Sequence, residues 1–167
     1  ERVELYAEYV AKDIGYDEGE IKILRLAGLL HDIGKIGTYD NLLDKNEKLT
    51  EDEFKIIRNH PDNAVKILGG IKQLKEILPI IRHHHERYDG KGYPDGLKGD
   101  AIPLGARILH VTDTYDAMTA DRPYRKALSR EEAIAELKDN SGTQFDPDIT
   151  TIFLNILNSD KYNFDSD

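Results

Sequence analysis

Apolar residues recur at helical spacing along nearly the whole chain, and no segment alternates convincingly at the two-residue period of a strand. Leu5, Val10 and Ile14 mark one face of a first helix, which Gly15 ends. Ile21, Leu24, Leu26, Leu29 and Leu30 mark a second, strongly apolar helix that runs into His31-Asp32 and frays at Gly34. Thr50 followed by Glu53 has the form of a capping box, opening a helix that His60-Pro61 closes; a further helix runs from Asp62 to Gly69-Gly70. Pro79 suits the first turn of a helix carrying the histidine run, and Pro103 begins one that reaches Ala120. Ser129 with Glu132 forms a second capping box, and Asp146-Pro147 starts the last helix. The pattern predicts one compact all-α domain of about seven helices over residues 1–167, with a polar connection at 37–49.

A chain of 167 residues can bury a real core, roughly 70% of the surface its unfolded form exposes. No apolar run approaches the roughly 20 residues needed to span a bilayer, so no membrane segment is expected. The absence of cysteine excludes disulfides and thiolate ligands, so any metal must sit among nitrogen and oxygen donors; a reducing cytoplasm suits such a chain. A net charge of −9 argues against a grip on duplex nucleic acid, which lysine and arginine drive. Against that background RPYRKALSR, residues 122–130, carries four positive charges and no acid, a patch suited to a small anion.

The stretch His83-His84-His85-Glu86 leads into a loop, 89–100, with four glycines, three aspartates and a proline. With His31, Asp32, His60 and Asp113 it supplies more imidazole and carboxylate than one ion needs, which points to two metals or more. Each component has a plainer alternative. Successive residues on a helix point about 100° apart, so His31 and Asp32 reach one ion only at a distorted helix end; otherwise the pair is a dipole-facing histidine beside a solvated aspartate. His60 taken alone is a helix-end neighbour of Pro61. Asp113 lies among Ile108, Leu109 and Val111, and a buried carboxylate must be paired, coordinated or protonated. Asp116 is placed to orient a ligand from behind.

Taken in order, HDIGK at 31–35, HHERYDGKGYP at 84–94 and DTYDAMTADRPYR at 113–125 resemble the HD-GYP branch of the HD phosphohydrolases. LAGLLHDIGKIG, HP at 60–61, IPLGARIL at 102–109 and SGTQFDP at 141–147 extend the resemblance over nearly the whole chain. It implies a helical domain holding two or three iron or manganese ions and hydrolysing the bacterial second messenger cyclic di-GMP. It also implies His31, Asp32, His60, His84, His85 and Asp113 as metal ligands, with Asp32 bridging two ions. Lys35 would face the scissile phosphate, while Tyr93, Arg122 and Arg125 would hold the nucleotide. His83 stands outside this ligand set, and Glu86 supports it from behind.

Family members usually carry a histidine just upstream of an Arg-Val pair. Arg2-Val3 is present here, but Glu1 is the first residue, so that ligand and an upstream sensory or receiver domain are expected outside this sequence. Tyr39 and Asn46 also stand where prolines are common. The expected reaction is in-line attack of a metal-bridging hydroxide on a 3′–5′ phosphodiester, giving pGpG and/or GMP. The alternatives are hydrolysis of another cyclic dinucleotide or nucleotide, and a signalling module that binds a cyclic dinucleotide, or a protein partner through the GYP loop, without turnover.

Overall fold

Local capping sets three of the helix starts. Asp17 and Glu20 bond each other's backbone amides at 2.9 Å. Thr50 with Glu53 and Ser129 with Glu132 do the same, as their spacing predicts. The computed structural model describes residues 2–36, 50–121, 126–159 and 162. Among these lie eight α-helices: α1 (Arg2–Asp13), α2 (Glu18–Leu30), α3 (Glu51–Arg58), α4 (His60–Leu68), α5 (Leu78–His83), α6 (Leu104–Thr119), α7 (Arg130–Asp139) and α8 (Pro147–Leu157). Short 3₁₀ turns occupy Ile33–Lys35, Lys72–Leu74 and Gly99–Ala101, and there is no strand among the described residues. The all-α expectation holds. The connection at 37–49, with Tyr39 and Asn46, lies outside the described residues.

Helix α6 is the central element, packed by α1, α5, α7 and α8. Its Ile108, Leu109 and Val111 are fully buried, and Tyr115 joins Tyr6 of α1 and Phe153 of α8 in a cluster with ring centroids 5.3–5.8 Å apart. Tyr and Phe rings at such separations bring large buried areas and favourable edge contacts. The core lies on one side of α6; its other side carries His110 and Asp113 toward the ends of α2, α4 and α5.

Two boundaries differ from the sequence reading. His60-Pro61 opens α4 rather than closing α3, which ends at Arg58. Proline lacks only an amide that the first turn leaves unpaired anyway, so it is accommodated there. Helix α5 also stops at His83, leaving His84 and His85 in the turn beyond it.

Candidate metal centre

Three imidazoles are oriented by one local device. Nδ1 of His31 bonds Gly28 O at 2.6 Å, Nδ1 of His60 bonds Ile57 O at 2.8 Å, and Nδ1 of His84 bonds Ile81 O at 2.6 Å. In each case the acceptor is three residues back, in the last turn of the preceding helix. A carbonyl can only accept, so each Nδ1 carries a proton, and in the neutral ring it is Nε2 that turns inward with its lone pair. Neutral imidazole held this way by a carbonyl is the arrangement of a metal-ligating histidine.

The inward nitrogens converge. His60 Nε2 lies 3.4 Å from His84 Nε2 and 3.5 Å from Asp32 Oδ1. His31 Nε2 lies 3.5 Å from Asp32 Oδ2 and 3.6 Å from Asp113 Oδ1, too far for good hydrogen bonds. His31 Nε2 and Asp32 Oδ1 are buried with no hydrogen-bond partner. Two triads emerge, His31–Asp32–His84 and His60–His84–His85, with donor atoms within 4.8 Å of one another. They share His84. Buried donors of this kind left unsatisfied, and two lone pairs facing each other, are costly unless a cation lies among them. The residues fit divalent metal.

Burial pushes the His60 pKa down, and pushes His84 to about 3 with help from the neighbouring His31 charge. His85 is held far below the usual histidine range by burial and by His84 and His60. These rings therefore stay neutral and keep their lone pairs. His31 differs: burial works against its charge, but Asp113 and Asp32 outweigh it and raise the pKa. Burial opposes ionisation of Asp32 and Asp113, yet His31 and, for Asp32, Lys35 hold both carboxyls below the usual range. Both present charged oxygens to the site.

The 3₁₀ turn that carries Asp32 and Lys35 into place lies directly on α4. A Cβ at Gly34 would stand 1.9 Å from His60 O and 2.6 Å from Ala64 N, so only glycine permits that approach. Lys35 Nζ then reaches Asp32 Oδ2 at 2.6 Å.

Tyr93 stacks on His85, with centroids 4.8 Å apart and planes 28° off parallel, and its amide bonds His85 O at 3.3 Å. Glu86 belongs to neither triad. Its buried carboxylate accepts from the amides of Asp95 at 2.7 Å and Leu97 at 3.1 Å, so it fastens the GYP loop. The turn before it is equally tight, since a Cβ at Gly92 would meet Arg87 N at 2.2 Å. His83 turns its Nε2 toward Asp95 Oδ2, at 3.1 Å. Asp116 pairs with Arg2 at 2.9 Å. Arg122 and Arg125 lie outside the described residues.

Two residues of the surroundings escape the sequence reading. His110, buried one turn before Asp113 on α6, bonds His84 O through Nδ1 at 2.8 Å. Its three-residue spacing from Asp113 is the signal that could have found it. Arg58, two residues before His60, lies over the Tyr93 ring at 5.3 Å. No local pattern announces that contact.

A family model described as the HD domain matches residues 1–149. The cyclic di-GMP phosphodiesterase response regulator RpfG of Xanthomonas campestris is 44% identical over 149 residues, 88% of this chain and 39% of that protein. The chain belongs to the HD-GYP branch of the HD-domain family. This HD-GYP domain is also 37% identical to the 3′3′-cGAMP-specific phosphodiesterase 3 of Vibrio cholerae, over 95% of the chain and 34% of that protein. It therefore spans between a third and two fifths of the length of these relatives. Bd1817, an HDG"Y"P protein from Bdellovibrio bacteriovorus, shares the fold with a TM-score of 0.75 at 20% identity, over 95% of this chain and 51% of that one. No helix among the described residues is long and apolar enough to cross a membrane.

Proposed function

We propose that this HD-GYP domain is a metal-dependent phosphodiesterase that opens cyclic di-GMP to linear pGpG and carries it on to GMP. One observation carries the reading: His60 Nε2 and His84 Nε2 face each other at 3.4 Å with both Nδ1 protons committed to backbone carbonyls. His31, Asp32, His60, His84, His85 and Asp113 would hold two divalent ions, iron or manganese, and a third ion would need ligands beyond this set. Such ions, when bound, lower the pKa of water and neutralise charge on a phosphodiester.

The chain's own groups do the rest. Asp32, a member of the first triad, turns one carboxylate oxygen toward His31 and the other toward His60 of the second, so it would be the group to bridge two ions. Lys35 places its ammonium beside that carboxylate, where it can stabilise charge on the equatorial phosphate oxygens. We assign Arg122 and Arg125 to phosphate binding from the basic run they belong to. Tyr93 seats the GYP loop against His85 and so shapes the substrate's side of the site. The loop's exposed residues, Lys91, Asp95 and Gly96, offer a surface for a protein partner, and the cytoplasm, where cyclic dinucleotides act, is the compartment we assign.

The Vibrio cholerae relative's name favours 3′3′-cGAMP as the second substrate to try. The test is turnover of cyclic di-GMP and 3′3′-cGAMP by protein loaded anaerobically with iron or manganese, with products separated by chromatography. Linear dinucleotide or mononucleotide from cyclic di-GMP supports the proposal. Cleavage of 3′3′-cGAMP alone moves the substrate. No product from metal-loaded protein leaves a binding module.

A further inference from the structure

The Tyr93 ring does not stand alone at the edge of the metal centre. The Arg58 guanidinium lies 5.3 Å from the Tyr93 centroid and 5.0 Å from that of Phe54, four residues earlier on α3. Tyr93 in turn stacks on His85, whose ring is 4.9 Å from that of His60. A chain of contacts thus runs from an exposed arginine, through one tyrosine, to the metal-facing histidines. Three separate elements build it: α3, the turn after α5, and the GYP loop.

Three other cations near the site are already engaged. Lys35 is on Asp32, Arg82 is held by Asp62 and Asp95, and Arg87 is held by Asp89. Arg58 has no carboxylate partner among the described residues and lies against two rings. Aromatic contacts of this kind steady a guanidinium through its planar face and leave its edge of N–H donors free. That edge is the part that grips phosphate in a bidentate manner. In a domain of net charge −9, an arginine with no carboxylate partner among the described residues, one ring away from the candidate metal centre, is a specific point of attraction for an anion.

A cyclic dinucleotide carries two phosphodiesters. One would be bound at the metal centre, and the other needs a counter-charge a short distance away. We infer that Arg58, braced by Phe54 and Tyr93, is the contact for the phosphate that is not being cleaved. The inference rests on the phosphodiesterase reading for its substrate. It assigns Tyr93 a second role: the ring is a brace for Arg58 as well as a lid on His85, which leaves less of it for stacking on a base.

The test is the dissociation constant of a hydrolysis-resistant bisphosphorothioate analogue of cyclic di-GMP, measured by calorimetry on metal-loaded protein. Arg58→Ala weakens binding about tenfold or more, as loss of a charge-assisted bidentate contact does. Arg58→Lys recovers only part of that loss, because an ammonium keeps the charge without the fork. Phe54→Ala weakens binding less than Arg58→Ala. With cyclic di-GMP itself, the Arg58→Ala defect falls on KM more than on kcat. A dissociation constant within twofold of wild type, at equal metal content, overturns the inference. If the wild type binds the analogue but cleaves no cyclic di-GMP, the phosphodiesterase reading fails while the Arg58 comparison still decides. If the wild type does not bind it at all, both fall.

Discussion

His60 Nε2 and His84 Nε2 approach to 3.4 Å although neither ring has a proton to give the other, since Ile57 O and Ile81 O hold the Nδ1 protons. Two facing acceptors repel, and that repulsion is relieved by a shared cation. Metal binding should therefore stabilise the fold measurably. At about a hundred times its dissociation constant a ligand adds about 2.7 kcal/mol. At about 2–4 °C per kcal/mol for a domain of this size, the melting temperature rises by roughly 5–10 °C. Calorimetry with and without manganese, and with a chelator to reverse the effect, reads this directly.

Lys35 is paired with Asp32 at 2.6 Å without being a metal ligand. Lys35→Met should leave metal content near that of wild type and lower kcat by about 10²–10³, the usual cost of removing one donor to a developing charge. Steady-state kinetics beside elemental analysis separates the two effects.

His110 is in neither triad, yet it holds the carbonyl of His84 at 2.8 Å and so steadies the turn that carries His84 and His85. His110→Phe keeps the bulk and loses that bond. It should weaken metal affinity about 10- to 100-fold, the range seen when an outer support of a ligand is removed. A competition titration against a chromogenic chelator measures it, and far-ultraviolet circular dichroism checks that the helices survive.

Asp95 pairs with Arg82 and His83, and those bonds lower its pKa to about 2. A carboxyl depressed in the folded state stabilises it above the unfolded value of about 3.9 and ceases to do so as pH falls through the folded one. The melting-temperature advantage of wild type over Asp95→Asn should accordingly be present at pH 5 and shrink as the pH falls from 4 to 2. Differential scanning fluorimetry across that range would show it.

Local signals were legible in the sequence and distant ones were not. Thr50–Glu53 and Ser129–Glu132 span three residues, and both boxes form. The convergence of His31, Asp32, His60 and His84 was read by resemblance, because nothing in helical periodicity brings residues 29 and 53 positions apart to one point. Pro61 misled because a proline after a helix and a proline in the first turn of the next look alike in sequence. Glu86 looked like a support for the ligands because it follows them in the chain. Its carboxylate instead meets amides nine and eleven residues on, a pairing fixed by the fold of a glycine-rich loop. The Arg58–Tyr93 contact joins residues 35 apart through a turn that no propensity predicts.

The most direct test of the account is the number of ions the folded chain holds. Metal-free protein would be titrated anaerobically with manganese, following bound metal by electron paramagnetic resonance and elemental analysis, beside Asp32→Ala. The account predicts at least two ions per wild-type chain, magnetically coupled through their proximity, and loss of that coupling in Asp32→Ala. A single uncoupled ion, or none, in folded wild-type protein would contradict it.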